Sequence, residues 1–350
     1  MHHIDVFMLE RDRPFGYPIS ETIRPAEKRG NVMEGEALRL RLTDIEQFRQ
    51  QLTGWDTLPV QLGAGCLHID WDSIDLGGQL ILSRLALDRK LTDVSAINEG
   101  TLVFVVCLGA KTWCGNEVEP GSLVILGPGR DHRNVLEPRW MSIEICVSIE
   151  EMVGEGLAAD TLLTGERSLR VYPLPSDLLL QYRQLVDFVF RADARLSRPT
   201  PIELLAIRAT VLELILRTGA HIEAPGFEPP RLRRRNGYRL AAAAMDLIER
   251  NADHLFGVGD LASSLRVSER ALNYAFRQAL GLSTYRYMLA CRLNAANREL
   301  KASSGRHITV TEAAMNSDFY HLGRFALHYR NMFGELPSQT LANRAPGLPM

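Results

Sequence analysis

The chain has 350 residues, 46% hydrophobic and 23% charged, with a formal net charge of −2. That length allows two or three domains, each with its own core. No apolar run is long enough for a transmembrane helix, and the opening MHHIDVFMLERDRPFGYPISETIRPAEKRG lacks the apolar stretch of a secretory signal.

The small net charge hides a division. Residues 1–230 hold 23 Lys and Arg against 33 Asp and Glu, a net −10, whereas residues 231–350 hold 17 against 9, a net +8. All but one of the cations in the second part are Arg, whose planar fork binds phosphate oxygens bidentately. An acidic part joined to one that meets a polyanion is the reading. The five cysteines, Cys66, Cys107, Cys114, Cys146 and Cys291, form no C-x-x-C pair and read as reduced thiols of a cytoplasmic protein.

In chain order, 1–36 is irregular. From 37 to 150 short β-branched runs are separated by Gly, Pro, Asp and Asn: 66–71, 78–87, 101–109, 122–127 and 142–149. Such strands without long helices between them predict a β-barrel or sandwich, with a small helix over Phe48–Leu52. Residues 176–196 place Leu178, Tyr182, Leu185, Val189 and Leu196 on one helical face, and 201–219 opens with Pro and closes with Gly. These two form a helical pair, read as the dimer face, with plain packing on the sheet as the alternative. The β-rich sensing domain is thus 37–220. The Pro-, Gly- and Arg-rich 221–236 is a linker, its RLRRR (231–235) either a solvated segment or a phosphate clamp. Residues 237–342 form an all-α domain with predicted helices at 238–252, 258–265, 269–280, 284–302, 309–316 and 321–333, and 343–350 is a disordered tail.

Two helix–turn–helix units occupy that domain. In the first, Leu261, Ala262 and Leu265 make an apolar stripe and Ser268 stands at an N-cap position. Leu272 and Phe276 point inward together, while Glu269, Arg270, Asn273, Tyr274 and Arg277 fall mostly on the other face. In the second, Val310, Ala313 and Ala314 pack one helix and Phe325, Tyr329 and Phe333 anchor the next, leaving His321, Arg324, His328 and Arg330 outside. FRQALG (276–281) is echoed by YRNMFG (329–334). The connector 284–302, with a stripe of Tyr285, Leu289, Leu293, Ala296 and Leu300, is roughly 27 Å long. Successive major-groove faces on one side of DNA lie about 34 Å apart.

With these residues in view, 238–342 resembles the DNA-binding domain of AraC-family transcription regulators. The resemblance rests on DLASSLRVSERALNYAFRQALGLSTYRYMLACRLNAANREL and ITVTEAAMNSDFYHLGRFALHYRNMFGELPS. More loosely, WDTLPVQLGAG and FYHLGRFALHYRNMF are similar to the ethanolamine-utilisation regulator branch. The resemblance implies two recognition helices in adjacent major grooves of double-stranded DNA. The domain order motivates a mechanism in which an unknown small-molecule effector, or a change in the state of a homodimer, alters how the first domain positions the second. The DNA contacts then recruit RNA polymerase, and the resemblance favours activation over repression. By position, Arg270, Asn273 and Tyr274 match base-contacting positions. The second unit departs from the pattern: Leu322, Gly323 and Leu327 are apolar or bare there. Base readout therefore falls to the first unit. Ser268, Glu269, Arg277, His321, Leu322, Arg324, His328 and Arg330 take backbone or auxiliary roles, with Leu322 touching thymine methyls at most.

Trp55, Trp71, Phe104, Trp113 and Trp140 read first as core and second as pocket lining. Arg84, Arg130 and Arg133 are candidates to hold an acidic effector. The pocket set is Trp71, Arg84, Phe104, Trp113 and His132. GSLVILGPGRDH (121–132) resembles a cupin motif, but no partner H-x-H motif precedes it, so neither metal nor other cofactor is expected. Phosphate-loop, dinucleotide, nucleophile-elbow and H-E-x-x-H signatures are missing, and no catalytic residue is assigned. The alternatives left open are a repressor of the same family, a non-specific architectural binder, and a cupin-type enzyme tethered to DNA with metal on His68 and His132.

Overall fold

The computed structural model describes residues 35–51, 55–128, 131–154, 170–190, 199–227, 232–250, 257–302 and 308–343. In chain order the first part runs β1 (Ala37–Leu42), α1 (Ile45–Gln51), β2 (Trp55–Thr57), β3 (Val60–Gln61), β4 (Ile69–Asp75), β5 (Ile81–Leu87), β6 (Leu91–Ile97) and β7 (Thr101–Cys107). It continues with β8 (Lys111–Trp113), β9 (Asn116–Val118), β10 (Ser122–Leu126), β11 (Asp131–Leu136), β12 (Trp140–Ser148), α2 (Ile149–Gly154) and β13 (Arg170–Pro173). Then come α3 (Ser176–Val189) and α4 (Pro201–Ile222). The helical part comprises α5 (Tyr238–Arg250), α6 (Val258–Ser264), α7 (Glu269–Leu280), α8 (Thr284–Lys301), α9 (Val310–Asn316), α10 (Leu322–Phe333) and α11 (Pro337–Ala342).

Among the described residues the strands form two antiparallel sheets. One has the order β1-β4-β5-β12-β7-β10-β13; the other has β2-β6-β11-β8-β9, with β3 also on β6. The sheets face each other across one core that holds Trp71, Leu85, Val105, Trp113, Val124 and Trp140. The first sheet's outer face carries Leu82, Phe104, Leu123, Ile143 and Ile145 and is covered by α3 and α4. The second sheet's outer face sends Val135 into the core of the helical part. With both faces covered, a strand such as β7 is buried at every position after its first.

Two expectations change here. Leu178, Tyr182, Leu185 and Val189 pack into the core beneath α3, so they are not a free dimer face; the sheet's apolar outer layer claims them. Leu196 and Arg130 lie outside the described residues, as does the greater part of 1–36. The segment 232–237 is not a loose linker. Arg235 N donates to Gly115 O at 2.7 Å, Glu117 N to Arg233 O at 2.9 Å, and Arg234 bridges Asn116 in antiparallel fashion. Unpaired peptide groups at the end of β9 bind this segment as they would a further strand.

α4 begins where the sequence predicts, because Thr200 and Glu203 form a capping box behind Pro201. Strands β6 and β11 escaped expectation because polar residues, Asp93, Ser95, His132 and Asn134, occupy their core-facing positions.

Candidate nucleic-acid interface

In the first helix–turn–helix unit, Arg266 adopts a positive φ of 55°. Val267 N then bonds Ala262 O at 3.0 Å. In the second, Asp318 adopts φ 64° and Phe319 N bonds Ala314 O at 2.8 Å. The same left-handed turn thus joins α6 to α7 and α9 to α10. Both second helices end on a left-handed glycine, Gly281 (φ 73°) and Gly334 (φ 79°), the terminal residues of the repeated FRQALG and YRNMFG. Tyr320 is an extra residue that moves the second N-cap to His321.

Helix α7 starts on Ser268, whose hydroxyl accepts from Ala271 N at 3.2 Å. Leu272, Ala275 and Phe276 are its buried face. Glu269, Arg270, Tyr274 and Arg277 are exposed, Tyr274 at 57% despite its size. Asn273 differs from the expected free reader: its Nδ2 donates to Glu269 O at 3.1 Å and its Oδ1 accepts from Thr284 N at 3.2 Å. Its amide is spent capping α8, because the turn after α7 brings an orphan helix N–H within reach.

Helix α10 buries Phe325 and Tyr329. Tyr329 is fixed further by Asn297 Nδ2 at 2.6 Å and Thr340 Oγ1 at 2.9 Å. Leu322, Arg324, Leu327 and Arg330 are exposed. His321 has no side-chain capping bond. Between the units lies a cleft of about 400 Å³, lined by Tyr285, Arg292, Tyr320, His321, Arg324 and His328 among others. Tyr285 was expected in the connector's apolar stripe but is 57% exposed; Tyr287 and Met288 take the buried positions.

Residues 261–343 match the family model of a helix-turn-helix domain. The chain is also 32% identical, over part of its length, to a solved structure described as a probable AraC family transcriptional regulator from Rhodopseudomonas palustris. That match covers 31% of this chain and 99% of the other, with a TM-score of 0.29. The chain belongs to the AraC family. Curated relatives include a probable thc operon regulatory protein of Rhodococcus erythropolis, 32% identical over 29% of this chain and 31% of its own length. XylDLEGF operon transcriptional activator 1 of Pseudomonas putida is 34% identical over 29% of this chain and 30% of its own. The match therefore spans under a third of the length of these relatives.

The expected effector pocket divides. Trp71, Trp113 and His132 lie in the core between the sheets, with Trp113 and His132 in ring contact at 5.7 Å. Arg84 and Phe104 do not join them. Arg84 sits on the outer face, paired with Asp72 at 2.5 Å and Asp187 at 3.5 Å, and Phe104 packs under α3 and α4. Their strands hold the opposite phase, which two-sided burial hides in the sequence. Arg133 also points outward, onto α5. Trp55's side chain lies outside the described set.

Lys111, Glu144 and Asp93 are additional inward groups that sequence reading missed. Lys111 Nζ stands 3.6 Å from the ring centroid of Trp113 and 4.9 Å from that of Trp140. Burial holds its amine below the ordinary lysine value. Burial pushes the Glu144 carboxyl up to about 7, against the Ser142 hydroxyl that donates to it at 2.9 Å. Burial also raises Asp93, which accepts from Ser95, Thr57 and Asn134. A lysine inside AKTW was the available signal. His68 is exposed and paired with Asp88 at 3.0 Å, whereas His132 is buried. Among the described residues, no group of three or more His, Cys, Asp or Glu is placed to hold a metal. The cysteines are free thiols, with burial pushing Cys146 and Cys291 up to about 12. No described helix is long and apolar enough to cross a membrane.

Proposed function

We propose that this protein is a sequence-specific DNA-binding transcription regulator whose β-rich part (37–220) senses a small-molecule effector and whose helical part (237–342) engages two adjacent major grooves. The observation that carries the reading is α7: Arg270, Tyr274 and Arg277 project to solvent from a helix anchored by fully buried Leu272 and Phe276. Arg270 and Tyr274 read bases. Asn273 supports them by joining α7 to α8. In the second unit Arg324, His328 and Arg330 hold phosphates, and Leu322 and Leu327 offer thymine methyls an apolar surface. The similarity to operon transcriptional activators of Pseudomonas putida favours activation, which this chain would exert by recruiting RNA polymerase.

The effector site in this reading is the core between the sheets, around Trp113, His132 and Lys111. A homodimer forms through α4. Its outer face carries Ile202, Leu205 and Leu216, which are 81%, 64% and 38% exposed, next to a groove of about 410 Å³ shared with α3. Glu203 and Arg217 lie equally far from Thr210, so an antiparallel copy of α4 would pair each with the other.

The test is footprinting of the full chain on duplexes selected from a random pool, with and without excess competitor DNA. Two protected segments one helical turn apart support the reading. Protection that competitor removes equally from every sequence overturns it.

A further inference from the structure

The helical part rests on the β-rich part at several points, and two of them are equivalent in the repeat. At the end of α7, Arg235 Nη1 donates to Ala279 O at 3.2 Å. Arg235 is itself held by Glu117 at 3.5 Å and Glu137 at 3.7 Å. A Cβ added at Gly281 would stand 3.6 Å from Lys90 Nζ, and Lys90 pairs with the same Glu137 at 3.0 Å. At the end of α10, Gly65 N donates to Asn331 O at 2.9 Å and Gln61 Nε2 to Met332 O at 2.8 Å. A Cβ at Gly334 would lie 3.3 Å from Cys66 Cβ.

The last four carbonyls of a helix have no partner within it and carry its negative end. In both second helices one of them is closed by the terminal glycine, Gly281 to Arg277 O and Gly334 to Arg330 O. Donors of the β-rich part and its bound 232–237 segment reach others. Both glycines are needed for their positive φ; Gly334 is needed also for the close approach of Cys66, whereas a Cβ at Gly281 would make an ordinary contact with Lys90. Gln61 also meets the connecting helix: its N donates to Asn294 Oδ1 at 3.1 Å, and Asn294 Nδ2 donates to Gln61 O at 3.0 Å. The outward faces of α7 and α10 stay exposed throughout.

We propose that the β-rich part is a two-point mount that grips both reading helices by their C-terminal ends, so that Gln61 and Arg235 set the spacing at which the chain reads DNA. This rests on the DNA reading above. The mount leaves the reading faces uncovered, so the docked arrangement is the DNA-binding one. Preorganisation of two linked binding elements raises affinity only for the geometry it fits.

The experiment uses the full chain, a selected duplex with two protected segments, the same duplex with two base pairs inserted between them, and a duplex holding the first segment alone. Gln61→Met and Arg235→Met keep side-chain bulk and remove the donors. Each is expected to weaken the native-spacing duplex by roughly tenfold, to narrow the preference over the inserted duplex, and to leave the single-segment duplex unchanged. Equal weakening on all three duplexes, or no change on any, overturns the mount. Protection of only one segment by the unaltered chain overturns the mount and leaves DNA reading intact. Failure of the unaltered chain to select any duplex removes both.

Discussion

Glu144 faces the core between the sheets, with Ser142 as its hydrogen-bond donor. Its carboxyl rises from an ordinary 4.5 to about 7, so the folded chain holds that proton more tightly than the unfolded one. The stability this supplies is full below about pH 4.5 and is lost as pH rises through 7. Glu144→Gln should flatten that decline, with the two proteins diverging by on the order of 3 kcal/mol between pH 5 and 8. Denaturant melts across that range check it. At the reading face, Arg270→Ala should cost about 1–3 kcal/mol on a selected duplex and relax preference at one base pair. Uniform weakening across base-substituted duplexes would reassign Arg270 to phosphate. The residue scale is also where sequence reading was least sure. Arg270 and Tyr274 are legible as outward because α7 has one buried face. Arg84 and Phe104 are not, because the sheet that holds them is buried on both sides and alternation loses its phase. Asn273 looked free only because Thr284, the group it caps, is brought to it by a turn.

At the scale of elements, the helices of the double unit were legible nearly to their ends. Their caps, Ser268, Ser283 and Thr309, are local signals. Helix α11 was not expected, since PSQTLA lacks periodicity; it exists because Thr340 and Tyr329 bond in the core. α4 is the informative case. Its inner face, Ile207, Val211, Leu214 and Ile215, is buried against the sheet, yet Ile202 and Leu205 remain exposed. A helix apolar on two sides asks for two partners. In the homodimer proposed above, Leu205→Glu should raise the dissociation constant by on the order of 100-fold. Sedimentation over a concentration series reads this directly, and an unchanged mass distribution would remove α4 from the interface.

At the scale of the whole molecule, the acidic-to-basic division and the order of β-rich and helical parts were legible, and the docking between them was not. Arg133 shows why. It is 7% exposed, and its guanidinium holds Glu249 at 2.7 Å and Asp246 at 2.8 Å across the junction. No local pattern ties residue 133 to a helix more than a hundred positions later. Arg133→Met should destabilise the docked form by about 1–3 kcal/mol and raise amide exchange first in α5. If exchange in α5 is unchanged while the core between the sheets loosens, Arg133 serves the β-rich part alone.

Val135 carries one more consequence. It projects from a strand of the second sheet, yet it belongs to the same buried cluster as Tyr238, Ala241, Met245 and Phe276 of the helical part. His132 and Asn134 beside it face the opposite way, into the β-rich core. A single strand thus belongs to two cores at once. Neither core can melt without stripping contacts from the other, so heat should be taken up in one cooperative event, its calorimetric and van't Hoff enthalpies agreeing. The chain should then behave thermodynamically as one object although its sequence is written as two.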